Sequence, residues 1–284
     1  METRGPTLTI SPLSGALGAE IAHADLAQLD DAGFAAIHAA FLDHQMLVFR
    51  DQRLTPAEYA ALARRFGQPD IYPFAKGLEG HPEITMIVKE AHQSSNFGGM
   101  WHSDTTYKLK PPKATMLIAV ETPPVGGDTL FASQYAAYES LSDGLKRTLG
   151  GLKGVHDNRI QSPKFSAARN AERTSKLRAG LDETEEPECE HPVVITHPET
   201  GRKALYVNVV RTHRFAGMTE EESRPLLEYL FTHSSKPEFT CRFRWRDGSI
   251  AFWDNRCVMH RALNDYPGYK RYMNRVTVEG GRPA

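Results

Sequence analysis

Apolar residues recur at helical spacing in four stretches of the chain. The helices predicted from this spacing span residues 30–44, 55–66, 133–149 with an interruption at Asp143-Gly144, and 220–233. Two of them begin at a capping box, formed by Thr55 with Glu58 and by Thr219 with Glu222. Gly67 follows the second helix directly and is expected to end it, because glycine is preferred just beyond a helix.

Shorter runs of apolar, aromatic and β-branched residues predict β-strands between these helices. The predicted strands cover residues 46–50, 84–89, 114–121, 192–197, 203–210, 239–245, 249–254 and 270–278. Many short strands with few crossover helices are typical of a β-sandwich or barrel rather than of a doubly wound sheet. The pattern therefore predicts a mainly β protein with flanking helices. Residues 157–190 are polar and charged, and we expect them to form an insertion or lid.

The last predicted strand carries two arginines on one face. Residues two apart on a strand share a face, so Arg271 and Arg275 point the same way, with Met273 between them. At about 3.3 Å per residue, the two positions lie about 13 Å apart. If this face is interior, the arginines require anions, because an unpaired buried charge costs about 3–5 kcal/mol. If the face is a solvated edge they require none, and the pattern alone leaves both interpretations open.

The composition narrows the choice of partners. Of 284 residues, 40% are apolar and 24% are charged, and the formal net charge is −1. The basic surplus that usually accompanies binding to nucleic acid or to an anionic membrane is absent. Three scattered cysteines, Cys189, Cys241 and Cys257, do not form the pattern of a disulfide framework. Because no run resembles a signal peptide or a membrane helix, we expect a cytoplasmic protein.

Candidate chemistry begins with the triplet His102-Ser103-Asp104, which lies between two predicted strands. A second triplet, His23-Ala24-Asp25, shows that this spacing alone carries little information. On an extended segment, one spacer places His102 and Asp104 on the same side, within reach of one ion. Together with the distant His260 they match the two imidazoles and one carboxylate that bind Fe(II) on one face of an octahedron. The alternative for His260 is an ordinary core histidine.

Sequence motifs of several other enzyme classes are absent. The chain contains no Gly-x-Ser-x-Gly elbow, no Walker loop, no Rossmann fingerprint and no His-Glu-x-x-His. Cys257 precedes His260 by three residues, but a soft thiolate ligand suits metals other than Fe(II). We therefore expect Cys257 to be a buried cysteine of apolar character.

Four segments carry a resemblance to a known family: "WHSDTTY", "GGDTLF", "WDNRCVMHRALNDY" and "KRYMNRVTV". In this order and spacing they resemble the taurine dioxygenase/2,4-dichlorophenoxyacetate dioxygenase family of Fe(II)- and 2-oxoglutarate-dependent oxygenases. The resemblance extends over nearly the whole chain and includes "LGAEIAHADL", "MLVFRDQRLTPAEYAALARRFG" and "HPETGRKALYVN". It implies a double-stranded β-helix core, the jelly roll of cupin-like proteins, in a single domain over residues 1–284. It also implies an enzyme that uses Fe(II), 2-oxoglutarate and O₂.

The resemblance implies roles for individual residues as well. His102, Asp104 and His260 match the iron ligands of the family. Because Asp104 is retained, hydroxylation is expected rather than halogenation, with succinate and CO₂ formed from 2-oxoglutarate and O₂. If the hydroxylated carbon bears O, N or S, the product collapses and the bond from carbon to that heteroatom breaks.

Four further residues match positions that hold the two organic reactants. Thr129 resembles a hydroxyl that binds a carboxylate of 2-oxoglutarate, and Arg271 resembles the guanidinium that pairs with its distal carboxylate. Trp253 is expected to pack as a wall beside this co-substrate site. Arg275 occupies the position that binds the anionic group of the substrate. Without the resemblance, Thr129 would be interpreted as a turn hydroxyl and Trp253 as a core aromatic.

The substrate implied by Arg275 is a small organic anion, such as a carboxylate, sulfonate or sulfate. Taurine itself is disfavoured, because Gly98 and Pro69 stand where the taurine enzymes use polar side chains. "FTCRFRW" and "CVMHRA" resemble the branch that cleaves aryloxyalkanoates such as 2-aryloxypropionates, with alkylsulfonate or alkylsulfate dioxygenases as the alternative. The candidate substrate-pocket residues, each equally compatible with plain packing, are Ile71, Tyr72, Phe74, Lys89, Phe97 and Gly98.

Two interpretations from other classes remain at this stage. A jelly-roll protein can bind a small anion without turnover, although a pure binder does not need an open iron face. A zinc hydrolase can use the same ligands, but no candidate general base lies nearby in the sequence. Family members often form homodimers or homotetramers, so we expect such an assembly, with no nucleic-acid or membrane partner.

Overall fold

The structure is a computed structural model that describes residues 8–72, 77–158 and 188–284. Phe74 and most of the insertion predicted at 157–190 lie outside these ranges. Within them, no helix has both the length and the apolar character needed to cross a membrane.

Five α-helices lie in the described ranges: α1 (Asp31–His44), α2 (Pro56–Phe66), α3 (Gln134–Glu139), α4 (Asp143–Leu149) and α5 (Glu220–Ser234). Both predicted capping boxes are confirmed; at the start of α2, the Thr55 hydroxyl accepts from the Glu58 amide, while the Glu58 carboxylate accepts from the Thr55 amide. The position predicted for the break between α3 and α4 is wrong. Ser142 caps α4, so Asp143 and Gly144 belong to its first turn, where the acidic residue favours the helix dipole.

The same ranges contain the strands β1 (Thr9–Pro12), β2 (Ala19–Ala22), β3 (Met46–Phe49), β4 (Pro69–Asp70), β5 (Gly77–Leu78), β6 (His81–Lys89), β7 (Ala114–Glu121), β8 (Thr129–Ser133), β9 (Lys153–His156), β10 (Cys189–Pro192), β11 (Val194–Thr196), β12 (Lys203–Leu205), β13 (Thr212–Phe215), β14 (Thr240–Phe243), β15 (Ile250–Asp254), β16 (Val258–Ala262) and β17 (Arg271–Val278). The strand predicted at 203–210 ends at Leu205. Beyond it, the Asn208 side chain accepts from the amides of Val210 and Arg211 and turns the chain.

Two sheets form the core of the fold. The large sheet has the order β1-β2-β3-β15-β7-β17-β6-β5, with β4 also pairing to β17, and the small sheet has the order β14-β8-β16. From β7 to β8, and again from β14 through β17, successive strands alternate between the two sheets. This alternation is that of a double-stranded β-helix, so the predicted fold class is confirmed. Shorter sheets, β10-β9-β13 and β11-β12, pack beside α3 and α5.

An aromatic cluster joins α1 and α2 to the outer face of the large sheet. The ring of Phe252 in β15 stacks on Phe41 of α1 at a centroid distance of 4.1 Å. Phe66 of α2 lies 4.4 Å from the same ring. All three side chains are buried, so Phe252 is one residue of the sheet that contacts both helices.

The inner face of the large sheet packs against the small sheet. Met273 of β17 and Trp253 of β15 share one buried apolar cluster with Phe131 of β8. Because Arg271 and Arg275 flank Met273 on the same face of β17, both guanidinium groups lie between the sheets, and both residues are buried. The interior interpretation of the arginine face, which the pattern left open, is therefore confirmed.

We predict that Phe252→Ala lowers the free energy of unfolding by about 3–5 kcal/mol, because it removes the ring on which both helices pack. Phe252→Leu keeps most of the volume and is expected to cost less than about 1.5 kcal/mol. Urea denaturation followed by circular dichroism measures both values. Equal stability of Phe252→Ala and the wild type would show that α1 and α2 are held by other contacts.

Candidate metal centre and adjacent anion sites

The loop that carries His102 is tied to β16 by two backbone hydrogen bonds. The amide of His102 donates to the carbonyl of His260 at 3.1 Å, and the amide of His260 donates to the carbonyl of His102 at 2.8 Å. These bonds form an isolated antiparallel bridge between the loop and β16. The bridge places the two imidazole centroids 4.2 Å apart, although the residues are distant in the chain.

Asp104 brings a carboxylate to the same point. Its Oδ1 lies 3.8 Å from Nε2 of His102. One ligand atom from each of His102, Asp104 and His260 lies within 4.8 Å of the other two. In the described part of the chain, no other group of three or more His, Cys, Asp or Glu side chains has this geometry. The structure thus brings together the three residues that the sequence pattern proposes as ligands of one metal ion.

Burial and neighbouring charges set the protonation of this group. Burial lowers the pKa of His102, and burial together with His102 lowers the pKa of His260 to about 3. For Asp104, burial alone would raise the pKa, but Arg275 and the two histidines, with a hydrogen bond from Thr115, lower it to about 2. At neutral pH the site therefore presents two neutral imidazoles and one carboxylate, which are the protonation states that metal binding requires.

A hydrogen bond to a backbone carbonyl fixes the orientation of the His102 ring. Its Nδ1 lies 2.7 Å from the carbonyl oxygen of Met100, and since a carbonyl only accepts, Nδ1 carries the proton and Nε2 is left with a lone pair. Gly98 packs against the same ring: a Cβ at this position would lie 3.3 Å from Cε1 of His102, and φ is +78°. A side chain at position 98 would therefore press on the His102 imidazole and would strain the backbone.

A relay of hydrogen bonds supports Asp104. The indole of Trp253 donates to Oδ1 of Asn255 at 3.0 Å, and the amide of Asn255 donates to the Thr115 hydroxyl at 2.8 Å. That hydroxyl donates to Oδ2 of Asp104 at 2.6 Å. Trp253, expected beside the co-substrate, lies in this relay, and its ring is 4.7 Å from His260. The sequence pattern gave no sign of Thr115 or Asn255, which look like ordinary strand and turn residues.

Arg275 lies beside the candidate metal site. Its Nη1 is 3.5 Å from Oδ1 of Asp104, while Nη2 is buried and has no hydrogen-bond partner among the described residues. The guanidinium carbon is 4.6 Å from the ring centroid of Tyr72 and 5.6 Å from that of Phe97. Ile71, which precedes Tyr72, is 58% exposed and lies at the surface. A buried guanidinium N–H that no described residue accepts from, close to two aromatic rings, suits an anion attached to an apolar body.

Arg271 forms a second cationic site on the same strand. Its Nε and Nη2 are buried and make no hydrogen bond within the described ranges. The guanidinium lies 5.6 Å from the ring of Trp245, whose indole donates to the Thr129 hydroxyl at 2.9 Å. Because Thr129 accepts from Trp245, its own hydroxyl proton is available for another acceptor. Trp245 lies just beyond the end of β14, and its contact with Thr129 was not predicted from the sequence.

Two further cations are buried in this region. Lys89 of β6 is the cross-strand partner of Arg271, so it lies towards that arginine rather than towards Arg275. Arg211 follows the turn at Asn208 and lies 4.7 Å over the ring of Tyr107. Arg211 was missed from the sequence, because the run from Lys203 onward looks like a continuous strand.

The residues present fit Fe(II) and a carboxylate-bearing co-substrate. Two imidazoles and one carboxylate, with no fourth His, Cys, Asp or Glu in the clustered group of the described chain, leave coordination positions for other ligands. Buried guanidinium N–H groups without partners, as in Arg271, are satisfied by a planar carboxylate.

We predict that Thr115→Val lowers metal affinity by about 10- to 100-fold, because the hydroxyl that orients Asp104 is lost while the side-chain shape is kept. Anaerobic titration with Fe(II), followed by calorimetry, measures the affinity. Thr129→Val is the matched control: its hydroxyl contacts Trp245 and no candidate ligand, so metal affinity should be unchanged. Similar losses in both variants would contradict a specific role for the relay.

Comparison with known proteins indicates the same family as the sequence motifs. The family model described as "Taurine catabolism dioxygenase TauD, TfdA family" matches residues 9–277. The protein named Alkylsulfatase from Acinetobacter baylyi is 34% identical over 277 residues, covering 96% of this chain and 85% of that protein. The (S)-phenoxypropionate/alpha-ketoglutarate-dioxygenase of Sphingobium herbicidovorans is 34% identical over 281 residues, covering 97% of this chain and 96% of that protein. A crystal structure of a taurine dioxygenase from Burkholderia xenovorans aligns with a TM-score of 0.81 at 36% identity, covering 98% of this chain and 93% of that one.

These similarities confirm the family that the sequence motifs indicate and the jelly-roll fold. They confirm an enzyme of the dioxygenase class that uses Fe(II), 2-oxoglutarate and O₂, and they set aside the small-anion-binding protein and the zinc hydrolase. The chain belongs to the TauD/TfdA family of 2-oxoglutarate-dependent dioxygenases.

Proposed function

We propose that this dioxygenase oxidises a small organic anion whose anionic group is bound by Arg275. The observation that supports the proposal is the buried guanidinium next to Asp104, whose Nη2 has no hydrogen-bond partner among the described residues and which lies near the rings of Tyr72 and Phe97. A buried N–H group without a partner is costly, and an anionic oxygen relieves that cost. The anion would therefore be held close to the candidate metal ligands.

In this proposal His102, Asp104 and His260 hold Fe(II), and the Thr115 relay keeps the carboxylate in place. When bound, Fe(II) with O₂ and 2-oxoglutarate supplies the oxidation, in which 2-oxoglutarate becomes succinate and CO₂ and a substrate C–H becomes C–OH. The chain itself contributes position and exclusion of water, since the ligands and both arginines are largely buried.

The distal carboxylate of 2-oxoglutarate is assigned to Arg271 and Thr129. Both residues contact Trp245, the first through its ring and the second through its indole N–H. Both residues therefore lie near the same indole ring. Nε and Nη2 of Arg271 form the fork that pairs with a planar carboxylate, and the Thr129 hydroxyl donates to one of its oxygens.

The main substrate candidate is an aryloxyalkanoate, with its carboxylate on Arg275 and its aryl ring among the aromatic side chains nearby. Hydroxylation of the carbon next to the ether oxygen gives a hemiacetal, which collapses to a carbonyl compound and a phenol. The similarity to a phenoxypropionate dioxygenase supports this class.

An alkyl sulfate ester is the second candidate, supported by the equal identity to the protein named Alkylsulfatase. A sulfate group fits the free Nη2 of Arg275 as a carboxylate does. Taurine is disfavoured, because Gly98 offers no side chain to its amine. The homodimeric or homotetrameric assembly, the cytoplasmic location and the absence of nucleic-acid and membrane partners stay predictions from the sequence.

A turnover assay tests the proposal. Protein purified without oxygen is given Fe(II), 2-oxoglutarate and ascorbate, then air, with a 2-aryloxypropionate, a linear alkyl sulfate or taurine. We expect succinate to form in step with phenol release from the aryloxypropionate, or with sulfate release from the alkyl sulfate. Succinate formation that none of these anions stimulates would contradict the proposed substrate classes.

We predict that Arg271→Ala raises the KM for 2-oxoglutarate by about 100-fold or more, because a buried carboxylate loses its cationic partner. Iron binding should change little, since Arg271 makes no contact with His102, Asp104 or His260 in the described structure. Steady-state kinetics measure the first quantity and anaerobic Fe(II) titration the second. An unchanged requirement for 2-oxoglutarate would refute the assignment of Arg271.

We predict that Arg275→Ala mainly raises the KM for the organic anion, whereas the KM for 2-oxoglutarate changes much less. Each arginine variant is the matched control for the other, because both remove one buried guanidinium from the same face of β17. If both variants impair both ligands equally, the two cationic sites are not separate.

A further inference from the structure

We propose that Lys89 is a third contact for the distal carboxylate of 2-oxoglutarate, together with Arg271 and Thr129. The inference rests on the proposed function, which assigns Arg271 to that carboxylate. It moves Lys89 from the substrate pocket, where the sequence placed it, to the co-substrate site.

The register between β6 and β17 supports this placement. Lys89 is paired directly with Arg271, and the next inward pair along the strands is Ile87 with Met273. Met273 lies between the two sheets, so Lys89 and Arg271 point into the same interior space. The exposed fraction is only 5% for Lys89 and 6% for Arg271.

Two like charges in this arrangement are unfavourable on their own. Burial carries the cost of removing each cation from water, and it lowers the pKa of both Lys89 and Arg271. Nζ of Lys89 has no hydrogen-bond partner in the described chain, and neither do Nε and Nη2 of Arg271. An anion bound between the two side chains would supply acceptors for these unpaired donors.

The residues around Lys89 partly stabilise its positive charge even without a bound carboxylate. Its ammonium lies 4.4 Å from the ring centroid of Tyr266, which is a cation–π distance. Tyr266 is also close enough to Arg271 to oppose the lowering of the arginine's pKa by burial. Asp128, which acts on Arg271 in the same direction, is paired with Arg242 at 2.6 Å. The described residues therefore offer no ion-pair partner to Lys89.

The position along β17 favours the co-substrate over the substrate as the anion. The strand partner of Arg275 is Thr85, four residues from Lys89 and about 13 Å along the strand. A carboxylate has about four acceptor positions. Two donors from Arg271, one from Thr129 and one from Lys89 would fill them.

The test compares two keto acids that differ only in the distal carboxylate. Binding of 2-oxoglutarate and of 2-oxopentanoate to the anaerobic Fe(II) protein is measured by calorimetry, without turnover. In Lys89→Met we expect the Kd for 2-oxoglutarate to rise by about 10- to 100-fold, the range for loss of one charged hydrogen bond. The Kd for 2-oxopentanoate should stay within about two-fold, because it carries no group for Lys89.

Lys270→Met is the matched control. It removes the same charge one residue from Arg271, but the Lys270 ammonium points to Glu121, which it contacts at 2.7 Å. Binding of both keto acids should be unchanged in this variant. Lys89→Arg should retain most of the affinity for 2-oxoglutarate, since the positive charge is kept, and Lys89→Gln should lose it if Lys89→Met fails to fold.

Thermal unfolding without 2-oxoglutarate separates binding from a structural role. Because the Lys89 ammonium is buried with no hydrogen-bond or ion-pair partner among the described residues, Lys89→Met should melt at the same temperature as the wild type or higher. A lower melting temperature, equal loss of both keto acids, or unchanged binding of 2-oxoglutarate would overturn the inference. If the wild type itself binds both keto acids equally, the assignment of Arg271 in the proposed function fails instead.

Discussion

The structure depends on one strand that carries positive charge into the space between two sheets. β17 turns Arg271 and Arg275 inward on either side of Met273, whose side chain packs in the apolar core. On its other face, Val276 and Val278 pack with the cluster that holds α1 and α2. The strand cannot rotate its arginines outward without exposing those valines. The charges of Arg271 and Arg275 must therefore be paired with anions inside the protein. The two proposed anion sites and the candidate metal site lie beside these arginines, between the two sheets.

The metal ligands are positioned by contacts that do not involve a metal. The backbone bridge between His102 and His260 brings the loop to β16, and Met100 selects the tautomer of His102. Thr115 orients the second oxygen of Asp104. These contacts restrict the rotation of the three ligand side chains, which reduces the conformational entropy lost when a cation binds.

The sequence predicted those parts of the site that depend on local spacing. Alternation placed Arg271 and Arg275 on one face, and a single spacer placed His102 beside Asp104. Whether the arginine face was buried depended on packing against Phe131, which belongs to another sheet. The partner of Lys89 depended on the register of β6 with β17, which no local pattern encodes. Thr115 could not be found at all, since a threonine in a strand is ordinary until its hydroxyl meets Asp104.

Arg275 differs from Arg271 because it interacts with two negative charges, the Asp104 carboxylate and the proposed organic anion. Its Nη1 lies against Oδ1 of Asp104, and it is the charge that contributes most to lowering the carboxylate's pKa. A divalent cation on that carboxylate would repel the guanidinium, and an organic anion on Nη2 would offset the repulsion. Cation and substrate should therefore favour each other's binding through this one side chain. Arg271 has no such contact with the ligands, so the co-substrate's distal carboxylate can bind without altering the charge balance at Asp104.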